Sequence, residues 1–157
     1  MKKHIVIGLT LFVVDSFILC SGVIALILLI LILGKILNRF LIKKSVFQKN
    51  DLIVNVVYVT VSVFIVMVNA ANLKIAEHRA NFLILTCESY REQYGKYPDR
   101  LSELVPIFLK EIPHAKYTLV ENQFFYLSNG KQHALLYSVI PLGRRSYHFE
   151  SHKWRMD

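Results

Sequence analysis

Two apolar runs without a single charge, residues 16–34 and 52–71, limit what this 157-residue chain can fold into. As a helix, each is long enough to cross the roughly 30 Å hydrocarbon core of a bilayer, which takes about 20 residues. Hiding both inside a water-soluble core demands more chain than 157 residues supply. Hydrophobic residues make up 54% of the chain and mean hydropathy is +0.42, in keeping with a membrane protein. The expected organisation is a membrane anchor over 1–71, with transmembrane helices at about 16–34 and 52–71 joined by a basic loop over 35–51. An exported domain of ordinary globular composition follows over 72–157.

The net charge of +8 invites a nucleic-acid reading, but its distribution answers that reading. Lys2, Lys3, Lys35, Arg39, Lys43, Lys44 and Lys49 flank the apolar runs, where membrane topology explains them. No basic patch accompanies a recognisable reading element, so nucleic acid is not an expected partner. Short loops rich in Lys and Arg stay in the cytoplasm. The 35–51 loop is therefore expected inside a bacterial inner membrane, with both termini and the 72–157 domain outside. Lys2 and Lys3 pull against that orientation.

Asp15 is the only charge between Ile5 and Lys35, and a span beginning at Ser16 leaves it at the interface, where its cost is small. Residues 5–14 then extend the helix or lie along the membrane surface. The apolar run after Asp15 and the lack of a small-residue cleavage pattern argue against signal-peptide removal. Neither run carries the recurring polar groups that a transport pathway needs. Cys20 lies in the first run and Cys87 in the globular part; Cys87 is expected as a small core residue.

Residues 72–94 predict a helix that continues from the second span, roughly 65 Å from Leu52 to Tyr94 at 1.5 Å per residue. Ala76, Ala80, Leu83, Cys87, Tyr90 and Tyr94 line one face, widened by Phe82, Ile84 and Leu85. Gly95 is placed to stop the helix. Tyr97-Pro98 breaks the chain, and Asp99 is placed to cap a short second helix from Arg100. Strands are expected over 116–120, 123–127, 132–139 and 145–149. A tight turn at Asn129-Gly130 and a break at Pro141-Leu142-Gly143 separate the later ones. The order predicts an α+β domain, a long helix packed on a small antiparallel sheet.

The stretch from Tyr90 through Tyr94-Gly95, Tyr97-Pro98, Leu101 and Leu104-Val105-Pro106 resembles type II secretion pseudopilins and their type IV pilin relatives. Those proteins end a long helix with Gly-x-Tyr-Pro and open a short helix with Leu-x-x-Leu. Tyr147, Trp154 and Asp157 are similar to the ends of some members. The resemblance implies a pilin-like fold and a non-enzymatic role in envelope assembly, as a secretion or pilus accessory. The family's processing site, Gly followed by Phe-Thr-Leu-x-Glu, is imitated only by Gly8-Leu9-Thr10-Leu11, with Val13 where Glu belongs. Residues 140–157 also lack the Asp-rich calcium loop of major pseudopilins. A domain fixed in the membrane is therefore expected rather than a fibre subunit.

Chemistry-bearing residues are few. His148, Glu150 and His152 alternate as strand residues on one face do, so two imidazoles and a carboxylate are the one candidate metal site; the opposing reading is a solvated edge. His78, His114 and His133 stand isolated and are expected at the surface. No serine has a nucleophile-elbow context and no glycine-rich phosphate loop is present, so no catalytic residue and no cofactor is expected. Glu88, Glu92 and Glu103 fit helix solvation and capping. Arg144-Arg145 beside Tyr147 is a candidate partner surface. The expected partners are the bilayer and a protein of the envelope. The alternatives are an exported metal- or ligand-binding domain and a membrane-held immunity or inhibitor protein.

Overall fold

The computed structural model describes residues 2–43, 49–139 and 143–156, and the chain divides into two compact units, Met1–Ala70 and Ala71–Asp157. The first unit is helical. Helix α1 (Lys2–Val13) runs into a π-helical turn (Val14–Leu19), α2 (Val23–Leu37) ends in a second π-helical turn (Asn38–Lys43), and α3 (Lys49–Tyr94) begins in this unit. Two helical stretches, Val23–Leu41 and one within Asn50–Tyr94, are long and apolar enough to cross a membrane. Only 11% of each apolar window is buried inside the protein, unlike the core helix of a soluble domain.

The first apolar run is not one helix. Cys20 (φ 48°) and Gly22 (φ 69°) adopt left-handed backbone conformations, and α2 starts at Val23 rather than Ser16. Asp15 explains the break. Its Oδ1 accepts the Gly22 N–H at 2.7 Å and the Ser21 N–H at 3.2 Å, and its Oδ2 accepts the Ile24 N–H at 2.8 Å. The Gly22 and Ile24 N–H groups are unpaired donors of the first turn of α2, so a carboxylate expected at the membrane interface is instead a fully buried helix cap. The start of α1 returns to the end of α2: His4 shares a groove with Lys35, Asn38, Arg39, Asp51 and Asn55, and Arg39 pairs with Asp51 across it. Residues 5–14 therefore neither lengthen α2 nor lie apart. They form most of α1, which packs on α3 with the His4 ring hydrogen-bonded to the Tyr58 hydroxyl at 3.0 Å. A Cβ at Gly8 would lie 3.1 Å from Val61 Cγ2, so the absence of a side chain there permits the approach.

The second unit packs the C-terminal part of α3 on a sheet. Ala76, Ala80, Leu83 and Cys87 are fully buried, and Tyr90 is partly so. Phe82 and Leu85 are exposed, as is Tyr94: at 100° per residue the first two point about 200° and 140° away from Ala80, so only Ile84 widens the core face. Gly95 (φ 74°) ends α3 with its N–H bonded to the Arg91 carbonyl, a backbone state that costs glycine little. The short helix is a single 3-10 turn, Leu101–Leu104. Asp99 does not cap it; Glu103 reaches back to the Arg100 N–H at 3.1 Å, while Asp99 pairs with Lys96.

Four antiparallel strands, β1 (Phe125–Ser128), β2 (His133–Ser138), β3 (Arg144–His148) and β4 (Lys153–Met156), lie in chain order. Three match expected strands. Residues 116–120 are not a strand, because local side chains take up their backbone groups: Asn122 Nδ2 donates to the Thr118 carbonyl and Thr118 Oγ1 to that of Val120. β4 was not expected, two of its four residues being charged. The Asn129-Gly130 turn closes β1 on β2, with Asn129 Oδ1 accepting the Gln132 N–H at 2.7 Å. Pro141 and Leu142 lie outside the described residues; Val139 bonds the Gly143 carbonyl beside them. The domain is thus α+β, a long helix with a small four-stranded antiparallel sheet.

Candidate functional site

Strand register decides which side chains meet. Tyr126, Leu135, Tyr147 and Trp154 stand opposite one another across the sheet and face the core. Next to this row Phe149 packs on Tyr97 (4.9 Å between ring centroids) and on Tyr147 (5.2 Å). Tyr97 donates its phenol proton to Glu88 Oε1 at 2.8 Å, and Arg91 both donates to the Tyr97 oxygen at 2.7 Å and pairs with Glu88 at 3.0 Å. His152 approaches Glu88 at 3.7 Å and bonds the Tyr147 hydroxyl at 3.2 Å, tying the β3–β4 turn to α3.

The electrostatics of this cluster hold protons in place. Burial, then the bond to Glu88, pushes the Tyr97 phenol well above its usual range, so it is a donor at neutral pH. Burial, aided by Glu88, pushes the Cys87 thiol up to about 12, far from a reactive thiolate. Tyr126, raised chiefly by burial, donates to the Pro98 carbonyl at 2.9 Å.

His148, Glu150 and His152 do not converge. β3 ends at His148, and residues 149–152 form a turn in which His152 has φ 51°, so the strand alternation that would align them is lost. His148 bonds Ser146, Glu150 bonds His133, and His152 bonds Tyr147. Among the described residues no group of three or more His, Cys, Asp or Glu is placed to hold a metal ion. His133, expected at the surface, is buried: its ring meets Glu150 at 2.8 Å and its N–H donates to the same carboxylate.

The opposite face of the sheet is open. Its centre is a shallow floor of Ala134, Leu136, Ser138 and Ser146, all nearly covered by their neighbours. On one side the edge strand β1 presents Phe125 and Leu127, the latter 60% exposed. On the other stand Arg144, His148, Lys153 and Arg155, with Arg144 stacked over the Phe125 ring at 4.7 Å. Among the described strand residues of this face there is no carboxylate. The Arg144-Arg145 pair is split by the pleat. Arg144 joins the open face, whereas Arg145 turns inward to Glu77 at 3.0 Å and lies over Trp154 at 4.7 Å. Lys153 and Arg155 escaped sequence reasoning; their period-two alternation with Trp154 and Met156 was the available signal.

Comparison with known proteins finds no matching family model, no matching curated protein and no matching solved structure.

Proposed function

We propose that this chain is a bacterial inner-membrane protein whose exported, pseudopilin-like domain binds an envelope protein and serves as a non-enzymatic secretion or pilus accessory. The observation that carries the reading is the outer sheet face, a floor of Ala134, Leu136, Ser138 and Ser146 with an apolar edge at Phe125 and Leu127, bordered by Arg144, Lys153 and Arg155 and with no carboxylate among its described strand residues. Charge complementarity favours an extended acidic segment with apolar side chains as the bound element. β1 is an edge strand of the described sheet, where an extended segment can add as a further strand. The Gly95, Tyr97-Pro98 and Leu101/Leu104 pattern and the helix-on-sheet order support the pseudopilin analogy.

The proposed topology has three crossings: residues 2–19, α2 and the first part of α3. The shared groove of His4, Lys35, Arg39 and Asp51 supports it, since it sets Lys2 and Lys3 at the same end as the basic loop. All these cations then lie in the cytoplasm. In this proposal the N-terminus lies inside and the 72–157 domain outside.

A photo-crosslinking residue at Leu127, compared with one at Leu85 on the exposed side of α3, tests the partner reading in native membranes. The expected product forms from position 127, is a secretion or pilus component, and binds the purified full chain in a salt-sensitive way. Arg144→Glu with Arg155→Glu is expected to weaken that binding at least tenfold. Capture from position 85 alone, or equal binding by the charge-reversed protein, overturns it. For the topology, an impermeant maleimide is expected to label Asn129→Cys in intact spheroplasts and Lys3→Cys only after permeabilisation; the reverse pattern overturns the orientation.

A further inference from the structure

The loop over 116–121 presents large apolar side chains that nothing in the second unit covers: Tyr117 is 61% exposed, Leu119 77% and Val120 51%. The alternate residues Lys116 and Thr118 are buried, so the loop has a definite outer side. It is also stiffly built. Ala115 N–H bonds the Asn122 carbonyl at 2.6 Å, and the Asn122 and Thr118 side chains bond backbone carbonyls within the loop. Two residues of α3 hold it from beneath. Asn72 Oδ1 accepts the Tyr117 N–H at 3.3 Å, and Arg79 donates to the His114 carbonyl while lying 4.4 Å from the Tyr117 ring centroid.

Asn72 is the first polar residue after the 52–71 run in the sequence, and Arg79 follows it by about 10 Å of helix rise. The headgroup layer begins where an apolar run ends, and amphipathic segments bury their apolar side about 5–10 Å into that boundary. We propose that residues 117–120 form a second membrane contact, seated in the headgroup layer of the bilayer crossed by α3. Leu119 and Val120 enter the acyl boundary, the Tyr117 ring lies at headgroup level where tyrosine is enriched, and the Arg79 guanidinium faces lipid phosphate. The proposal rests on the reading that the 52–71 run crosses the membrane. Its consequence is that a second attachment restrains the exported domain against tilting about a single helix.

The test uses the full chain in vesicles of phosphatidylcholine and phosphatidylglycerol, with an environment-sensitive fluorophore on Leu119→Cys; Cys20 and Cys87 are both buried. Fluorophores on Asn129→Cys and Val63→Cys serve as references. A shallow lipid-borne nitroxide is expected to quench the label at 119 several-fold more than the label at 129, and Asn72→Ala is expected to reduce that difference. Quenching at 119 by aqueous iodide but not by lipid nitroxide overturns the proposal. So does a blue shift at 119 that grows with protein-to-lipid ratio without lipid quenching, which indicates a second copy of the chain. A deep nitroxide that fails to quench position 63 overturns the crossing itself, whereas loss at 119 with quenching intact at 63 overturns the loop contact alone.

Discussion

The Asp15 carboxylate accepts the Gly22 N–H at 2.7 Å, and through this bond one apolar stretch becomes two helices. A charge that hydropathy treats as a blemish in a span is the group that satisfies the start of α2. Asp15→Ala is expected to lower stability in lipid or detergent by about 1–2 kcal/mol, the usual cost of losing a cap. Asp15→Asn, which keeps one acceptor oxygen, is expected to lose less. Thermal unfolding of the two variants beside the parent checks the order, and equal losses would remove the cap from the account.

Cys87 is fully buried and its thiol is pushed up to about 12, so maleimide is expected to leave it unmodified in the folded chain at pH 8. In a Cys20→Ala background, mass spectrometry is expected to show one adduct only after denaturation. Rapid modification without denaturant would place Cys87 outside the core.

Tyr97 and Glu88 act as a bonded pair at the joint between α3 and the segment that follows it. A double-mutant cycle with Tyr97→Phe and Glu88→Gln is expected to give a coupling of about 1 kcal/mol. Additive losses within a few tenths of that unit would show that the bond contributes nothing of its own.

Glu150 provides the pH dependence. Burial raises its pKa, but the hydrogen bonds from the His133 ring and N–H outweigh burial and hold the carboxyl below its ordinary value of 4.5. A carboxyl whose pKa is lower folded than unfolded adds stability above the unfolded pKa and loses it as pH falls through the folded one. The difference in melting temperature between the parent and Glu150→Gln is therefore expected to persist at pH 7 and shrink as pH drops below about 4.5. A difference that widens in acid would contradict the pairing.

The apolar runs, the helix face of Ala76, Ala80, Leu83 and Cys87, the Gly95 stop and the Asn129-Gly130 turn are all carried by local pattern, and each has its counterpart in the structure. Period, composition and turn chemistry act over a few residues, so they can be read without knowing what lies opposite. The 116–120 segment shows the limit. Its residues suit a strand, yet Asn122 and Thr118 satisfy the backbone locally and no neighbouring strand is required. β4 shows the converse, since Lys153, Arg155 and Met156 are exposed and only pairing with β3 makes them a strand.

By itself the chain's order of residues determined two stretches apolar enough for lipid and an α+β segment after them, because hydrophobic burial and helix stops are written in near neighbours. Tertiary structure alone decided that Asp15 caps α2, that His133 rather than His148 or His152 meets Glu150, and that Arg145 is the arginine that pairs with Glu77. The His133–Glu150 and Arg145–Glu77 contacts join residues far apart in sequence through strand register and helix packing, and the Asp15 cap, though it spans fewer than ten residues, forms only when Cys20 and Gly22 take up left-handed conformations.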